Sequence, residues 1–188
     1  MKIEERFLDD IDVENRRSFN CGENDISTMS SFLYEEAQVY QNSGTAFTKV
    51  FIDSDDNNSI IGYYSLKSSC FQYTDTDKYT GSEIIQVVPA VEIARFAIAL
   101  KYQGKIIPKL KQKFSSFLMF TALQDIMSLR DYILGVQAAI LFSLDYPKQL
   151  RFYEREGFSY FCEEDVFQST ENEGCVPMYK ILPNITPS

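Results

Sequence analysis

The sequence predicts an α/β domain, and two patterns predict it. Segments with apolar residues at helical spacing alternate with short β-branched and aromatic runs, and turn residues separate them. No internal repeat or linker interrupts the 188 residues, a length that suits one domain with a substantial core. We therefore expect a single domain over 1–188.

Taken in order, Ile3 to Ile11 reads as a first strand, with Phe7 alternating against charged neighbours. The turn Phe19-Asn20-Cys21-Gly22-Glu23-Asn24-Asp25 delivers a helix N-cap at Asn24 or Asp25. Ile26, Met29, Phe32, Leu33, Ala37 and Tyr40 fall at helical spacing, and Asn42-Ser43-Gly44 ends that helix. Thr45 to Asp53 and Ile60 to Phe71 are strands joined by the turn Asp55–Ser59, which makes a hairpin. Asp75 to Ser82 is polar and reads as a loop. Ile84 to Leu100 is strand again, with a bend at Pro89.

Ser115 to about Leu129 reads as a helix rich in Phe, Leu and Met. Tyr132 to Leu144 is apolar throughout, as a buried strand is. Pro147 suits the first turn of a helix that runs through Glu156 and closes at Gly157. Phe158–Cys162 and Val176–Leu182 read as a closing strand pair.

Composition narrows the chemistry. There is no histidine, which removes Ser-His and Cys-His nucleophiles, imidazole-ligated zinc and imidazole acid–base work. Cys21, Cys70, Cys162 and Cys175 are scattered, with no pair at metal-ligand spacing, so we expect no metal and reduced thiols. No run is apolar for the length of a membrane span, and the N-terminus is not a signal peptide, so the expected location is cytoplasmic and not in a membrane. The formal net charge of −9 disfavours nucleic acid. The exception is local: Lys101, Lys105, Lys109, Lys111 and Lys113 lie together with no acid among them. A basic island on an acidic protein suits a small polyanion better than a duplex.

The stretch Glu92 to Gly104 reads as a strand that runs into this cationic, glycine-containing turn, ahead of a helix. Such an order gathers backbone N–H groups where a phosphate can sit. Arg95-Phe96-Ala97-Ile98-Ala99-Leu100-Lys101-Tyr102-Gln103-Gly104, followed downstream by Phe152-Tyr153-Glu154-Arg155-Glu156-Gly157-Phe158, resembles the GNAT superfamily of acyl-CoA-dependent N-acetyltransferases. Phe19-Asn20-Cys21-Gly22 before a helix, and Gly62-Tyr63-Tyr64-Ser65-Leu66 in a strand, resemble the branch that includes acetyltransferase toxins of toxin–antitoxin pairs.

The resemblance implies a mixed, mostly antiparallel sheet with splayed central strands, flanked by helices on both faces. It implies acetyl-CoA as cofactor, with the pantetheine arm lying along Phe96, Ala97 and Ile98 like an added strand. Lys101, Tyr102, Gln103, Gly104 and Lys105 would then meet the pyrophosphate. The turn departs from the family pattern, because Lys101 stands at its first position and Ile106 at its last, where glycine or alanine is usual. β-Branched Ile106 does not take positive φ cheaply, and Pro108 lacks an N–H. Either a longer loop with lysines replaces part of the backbone nest, the helix starting near Ser115-Ser116, or the chain is a GNAT-like binding protein without catalysis.

By the same resemblance Tyr153 is the general acid for the departing thiolate, and Glu92 stands where some members carry a general base. Strand alternation puts Glu92 on the face of Ala94 and Phe96. Tyr146 and Gln149 replace the Asn and Ala that the family often has before the tyrosine. The acidic surface points to a cationic acceptor, a small-molecule or peptide amine. Aminoacyl-tRNA stays open as an acceptor through the toxin branch, as do a homodimer and an antitoxin partner.

Overall fold

A computed structural model describes residues 1–22, 28–161 and 174–183. In chain order the elements are β1 (Ile3–Phe7), α1 (Val13–Arg17), α2 (Met29–Glu35), α3 (Ala37–Asn42), β2 (Phe47–Asp53), β3 (Ser59–Thr76) and β4 (Glu83–Ile98). There follow β5 (Ile106–Ile107), β6 (Gln112–Lys113), α4 (Phe114–Tyr132), β7 (Ala138–Leu144), α5 (Pro147–Arg155), β8 (Ser159–Tyr160) and β9 (Cys175–Ile181). By hydrogen bonding, seven strands run in the order β1-β2-β3-β4-β7-β9-β8, and β5 pairs separately with β6.

Two compact units are stitched from this chain: Met1–Lys67 with Ile93–Ala122, and Ser68–Glu92 with the residues from Leu123 on. In the first, β1 and β2 are antiparallel from Ile3↔Asp53 to Phe7↔Lys49. The β2–β3 ladder is antiparallel too, with a bulge between Phe51 and Ile52. The core here is aromatic. Tyr63 is fully buried, with Phe19 edge-on at 5.3 Å and Phe32 stacked at 6.1 Å. Its hydroxyl donates to the Met29 carbonyl at 2.6 Å, so the ring's polar end is satisfied inside the core. Phe114, Leu118, Met119 and Ala122 of α4 are also buried, and Phe117 meets Phe51 edge-on at 6.0 Å.

In the second unit β7 is parallel to β4 over Ala90–Glu92 alone and antiparallel to β9 along its whole length. β8 pairs antiparallel with β9. Phe71, Val88, Ala90, Ala138 and Ile140 form the buried cluster, with Phe142, Phe161 and Tyr179 packed against it.

Several expected boundaries move, each for a local reason. The first strand stops at Phe7 because Leu8–Asp10 turns as a 3-10 helix, and Asp12 then caps α1 by accepting from the Asn15 N–H at 2.8 Å. The helix expected through Tyr40 is two helices that meet at Glu36, where φ widens to −114°. The caps expected at Asn24 or Asp25 lie outside the described residues. β3 runs on to Thr76, so the Asp75–Ser82 loop shrinks to a turn in which the Asp77 carboxylate accepts from the N–H groups of Tyr79 and Thr80. α4 continues to Tyr132, and Ile133 and Leu134 still donate back to Leu129, which delays the following strand to Ala138.

Candidate functional site

The first unit holds the strand end and turn. β4 ends under a close backbone approach: a Cβ on Gly62 of β3 would fall 2.4 Å from the Ala97 carbonyl oxygen. Glycine is needed there for space. The Ala99 N–H then donates to Ile61 at 2.9 Å, and the Leu100 N–H donates to Asn20 at 2.8 Å. Ala97 and Ile98 are buried, Phe96 half-buried.

Leu100–Tyr102 forms a 3-10 turn. The N–H groups of Tyr102 and Gln103 both donate to Ala99, and that of Lys105 donates to Tyr102. Those three donors point into the turn and do not form an outward nest. Gly104 sits at φ +71°, the left-handed conformation that favours glycine. The residues beyond it make the β5–β6 hairpin, in register Ile106↔Lys113 and Ile107↔Gln112. Phe114 closes that hairpin by donating to Lys105 at 3.3 Å. Turn, hairpin and helix therefore replace the strand–turn–helix order of a simple phosphate loop, and α4 starts at Phe114.

All five lysines from Lys101 to Lys113 are exposed. Lys101 is engaged: its ammonium pairs with Asp56 and lies 5.4 Å from the centroid of the Tyr102 ring. The lysine and a nearby serine hold the Asp56 carboxyl down at about 2. Tyr102 is only 4% exposed. Its ring packs 5.0 Å from Phe114, and its hydroxyl lies 2.8 Å from Ser59 Oγ and 3.3 Å from Asp56 Oδ2. The Gln103 amide donates to the Cys21 carbonyl at 2.7 Å and to the Ile98 carbonyl at 2.9 Å. The side chains of Tyr102 and Gln103 thus brace the turn.

The second unit holds Glu92 and Tyr153. Glu92 lies opposite Ile140 at the end of the β4–β7 ladder and is 5% exposed. Tyr153 rides on α5, whose first turn carries Pro147, a residue with no N–H to leave unpaired there. At the other end Gly157 turns at φ +89°, and the Lys180 ammonium donates to the Glu156 carbonyl at 2.6 Å, where a cation suits the helix terminus. Tyr153 packs between Phe152, at 5.1 Å, and Phe158, at 6.1 Å. Burial pushes its phenol up to about 12, so it stays protonated at any ordinary pH and can give a proton but not take one.

Asp56 and Ser59 escaped the sequence reading. They lie in a turn more than forty residues before Lys101 and Tyr102, and nothing in the spacing announces the contact. Gly62 lies in a segment the sequence singles out, but its reason, a backbone approach, needs three dimensions.

Among the described residues, no helix is long and apolar enough to cross a membrane. No protein-family model matches the chain, and no curated protein matches it. Solved structures do. A tyrosine-to-phenylalanine mutant of the AtaT toxin, bound to the C-terminus of the antitoxin AtaR and acetyl-CoA, is 20% identical at a TM-score of 0.68, over 96% of this chain and 94% of that one. A tyrosine-to-phenylalanine mutant of KacT is 19% identical at a TM-score of 0.68, over 96% and 95%. AtaT complexed with acetyl-methionyl-tRNAfMet is 20% identical at a TM-score of 0.66, over 97% and 95%. With its mixed, mostly antiparallel sheet and its helices, this chain has the GNAT-like fold that those toxins share.

Proposed function

We propose that the chain is an N-acetyltransferase, a single cytoplasmic acetyltransferase-like domain over 1–188, which moves an acetyl group from acetyl-CoA to a primary amine. The likeness over 96% of its length to a structure bound to acetyl-CoA carries the reading. Two features support it. The β4–β7 ladder covers only Ala90–Glu92, and the cofactor strand residues Phe96, Ala97 and Ile98 come after it. The Tyr153 phenol packs between Phe152 and Phe158 and, like any tyrosine, is protonated at neutral pH, as a general acid requires.

In this reading the amine nitrogen attacks the thioester carbonyl directly in a ternary complex, and the C–S bond breaks. Tyr153 gives its proton to the departing thiolate, and Glu92 receives the amine proton through water. Phe96, Ala97 and Ile98 pair with the pantetheine arm. The turn from Lys101 to Lys105, with Tyr102 and Gln103 bracing it and Gly104 shaping it, faces the pyrophosphate. Acetyl-CoA at a hundred times its Kd stabilises the folded protein by about 2.7 kcal/mol. Its absence from a melting curve at saturating cofactor overturns the enzyme reading and leaves a GNAT-like binding protein.

The acceptor is a small-molecule or peptide amine, which the net charge of −9 favours. A second acceptor, aminoacyl-tRNA, is favoured by the likeness to AtaT in complex with acetyl-methionyl-tRNAfMet. The exposed lysines of the β5–β6 hairpin are a basic stretch that suits it. An antitoxin partner follows from the same comparison, since AtaT binds AtaR, and a homodimer is the other assembly to test. Acetylation of a polyamine against acetylation of charged tRNA separates the two acceptors. Growth arrest on expression, relieved by a neighbouring gene product, marks the antitoxin case.

A further inference from the structure

The turn at Leu100–Tyr102 is held from a place the sequence does not connect to it. Asp56 lies in the β2–β3 turn, where its N–H donates to Asp53 at 3.1 Å and its carbonyl accepts from the Ser59 N–H at 2.9 Å. One carboxylate oxygen, Oδ2, collects three donors: Ser59 Oγ at 2.6 Å, the Lys101 ammonium, and the Tyr102 hydroxyl at 3.3 Å. The Tyr102 hydroxyl also lies 2.8 Å from Ser59 Oγ, so with the Ser59 hydrogen on Asp56 the one Tyr102 hydrogen is shared between Ser59 Oγ and Asp56 Oδ2.

A lone surface ion pair does little, and both charged side chains here are about half exposed. Tyr102 makes the difference. It is buried and packs on Phe114, the first residue of α4. A displaced Tyr102 would strand a hydroxyl in the interior and move both the turn before the hairpin and the helix after it. Lys101 is meanwhile drawn toward Asp56 and over the Tyr102 ring.

We propose that Asp56 is a positioning residue for the cofactor turn: it locks Tyr102 and neutralises Lys101, so that Lys101 shapes the turn and leaves phosphate contact to the residues after it. This rests on the reading of Phe96–Lys105 as the acyl-CoA strand and turn. Its consequence is selective. The turn serves the nucleotide end of the cofactor, whereas the strand serves the pantetheine arm.

The test compares binding of acetyl-CoA with binding of S-acetylpantetheine, which has the arm and thioester but no pyrophosphate, by calorimetry on full-length protein. Asp56→Ala is expected to weaken acetyl-CoA on the order of tenfold, less than an ångström-scale misplacement can cost, and to leave acetylpantetheine unchanged. KM for acetyl-CoA rises by the same factor while kcat holds. Lys101→Ala gives a similar loss, and the double variant loses no more than either single one, as coupled residues do. Equal losses for both ligands, a fall in kcat alone, or a Lys101→Ala loss that persists in full beside Asp56→Ala each overturns the proposal.

A second measurement needs no ligand. Amide exchange at Tyr102 and Gln103 is expected to quicken in Asp56→Ala and in the milder Asp56→Asn, and unchanged exchange overturns the proposal. If the wild type binds neither ligand, the acetyltransferase reading fails, and the exchange rates alone decide whether Asp56 holds the turn.

Discussion

Gly62→Ala tests the close approach of β3 to the end of β4. The new Cβ would lie 2.4 Å from the Ala97 carbonyl oxygen, 2.8 Å from Leu118 Cδ2 and 3.0 Å from Ile98 Cδ1. Carbon–oxygen contacts settle at about 3.3 Å, so the oxygen must retreat by about 0.9 Å. It belongs to backbone and has no rotamer to escape into, and Leu118 is fully buried. Overpacking of this kind costs about 1–3 kcal/mol, which for a chain of this size lowers Tm by about 2–12 °C. Because Ala97 lies on the proposed cofactor strand, acetyl-CoA affinity should fall too. Calorimetric melting and titration measure both effects. Gly135→Ala is the control, since a Cβ there meets nothing within 4 Å and should be neutral or mildly stabilising. A Gly62→Ala protein as stable as Gly135→Ala refutes the packing argument.

Thr48 and Ser65 are fully buried and share a hydroxyl–hydroxyl bond of 2.8 Å. Thr48→Val alone should cost about 1–3 kcal/mol by stranding Ser65, and adding Ser65→Ala should recover much of it; urea unfolding of the three variants reads the difference. Tyr153→Phe should lower kcat by about 10²–10⁴-fold while acetyl-CoA still stabilises the protein. The same variant should unfold less steeply in alkali, because the native phenol near 12 resists an ionisation that the unfolded chain undergoes near 10, so that stability drains away as pH rises between them. Asp56 works in the opposite sense. Its native carboxyl sits at about 2 against an ordinary 3.8, so its contribution is present above the ordinary value and disappears as pH falls through the native one. Asp56→Asn should flatten that part of the acid unfolding curve.

How much of this was legible depends on how far apart the interacting residues lie. Pro147 and Gly157 mark both ends of α5 in the sequence, because helix termini are local chemistry. The fold class follows from periodicity, which is also local. Where the reading failed, a partner lay elsewhere or a short element had no period to show. The break at Glu36 interrupts an apolar pattern that looks continuous. β5 and β6 are two residues each, too short for alternation to register. The candidate site divides in the same way. Tyr153 is visible in its motif, and its packing between Phe152 and Phe158 fixes where the phenol sits on α5. Lys101 reads as one of five equal cations until Asp56 is brought against it. Tyr102 reads as a ligand contact until its hydroxyl and ring are found occupied.

Each of the two compact units is assembled from stretches far apart in the chain. During synthesis, therefore, neither can be finished early. The first needs β1, β2 and the start of β3, then waits for Ile93–Ala122 to emerge. At about 5–20 residues per second that is a delay of several seconds. Throughout it, Phe51, which ends fully buried, has no Phe117 of α4 to pack against, and the Ile61 carbonyl has no Ala99 N–H to accept from. A growing chain of this design is exposed to aggregation and to holdase chaperones in that interval. Its yield in a cell should therefore respond to translation speed between Lys67 and Ala122.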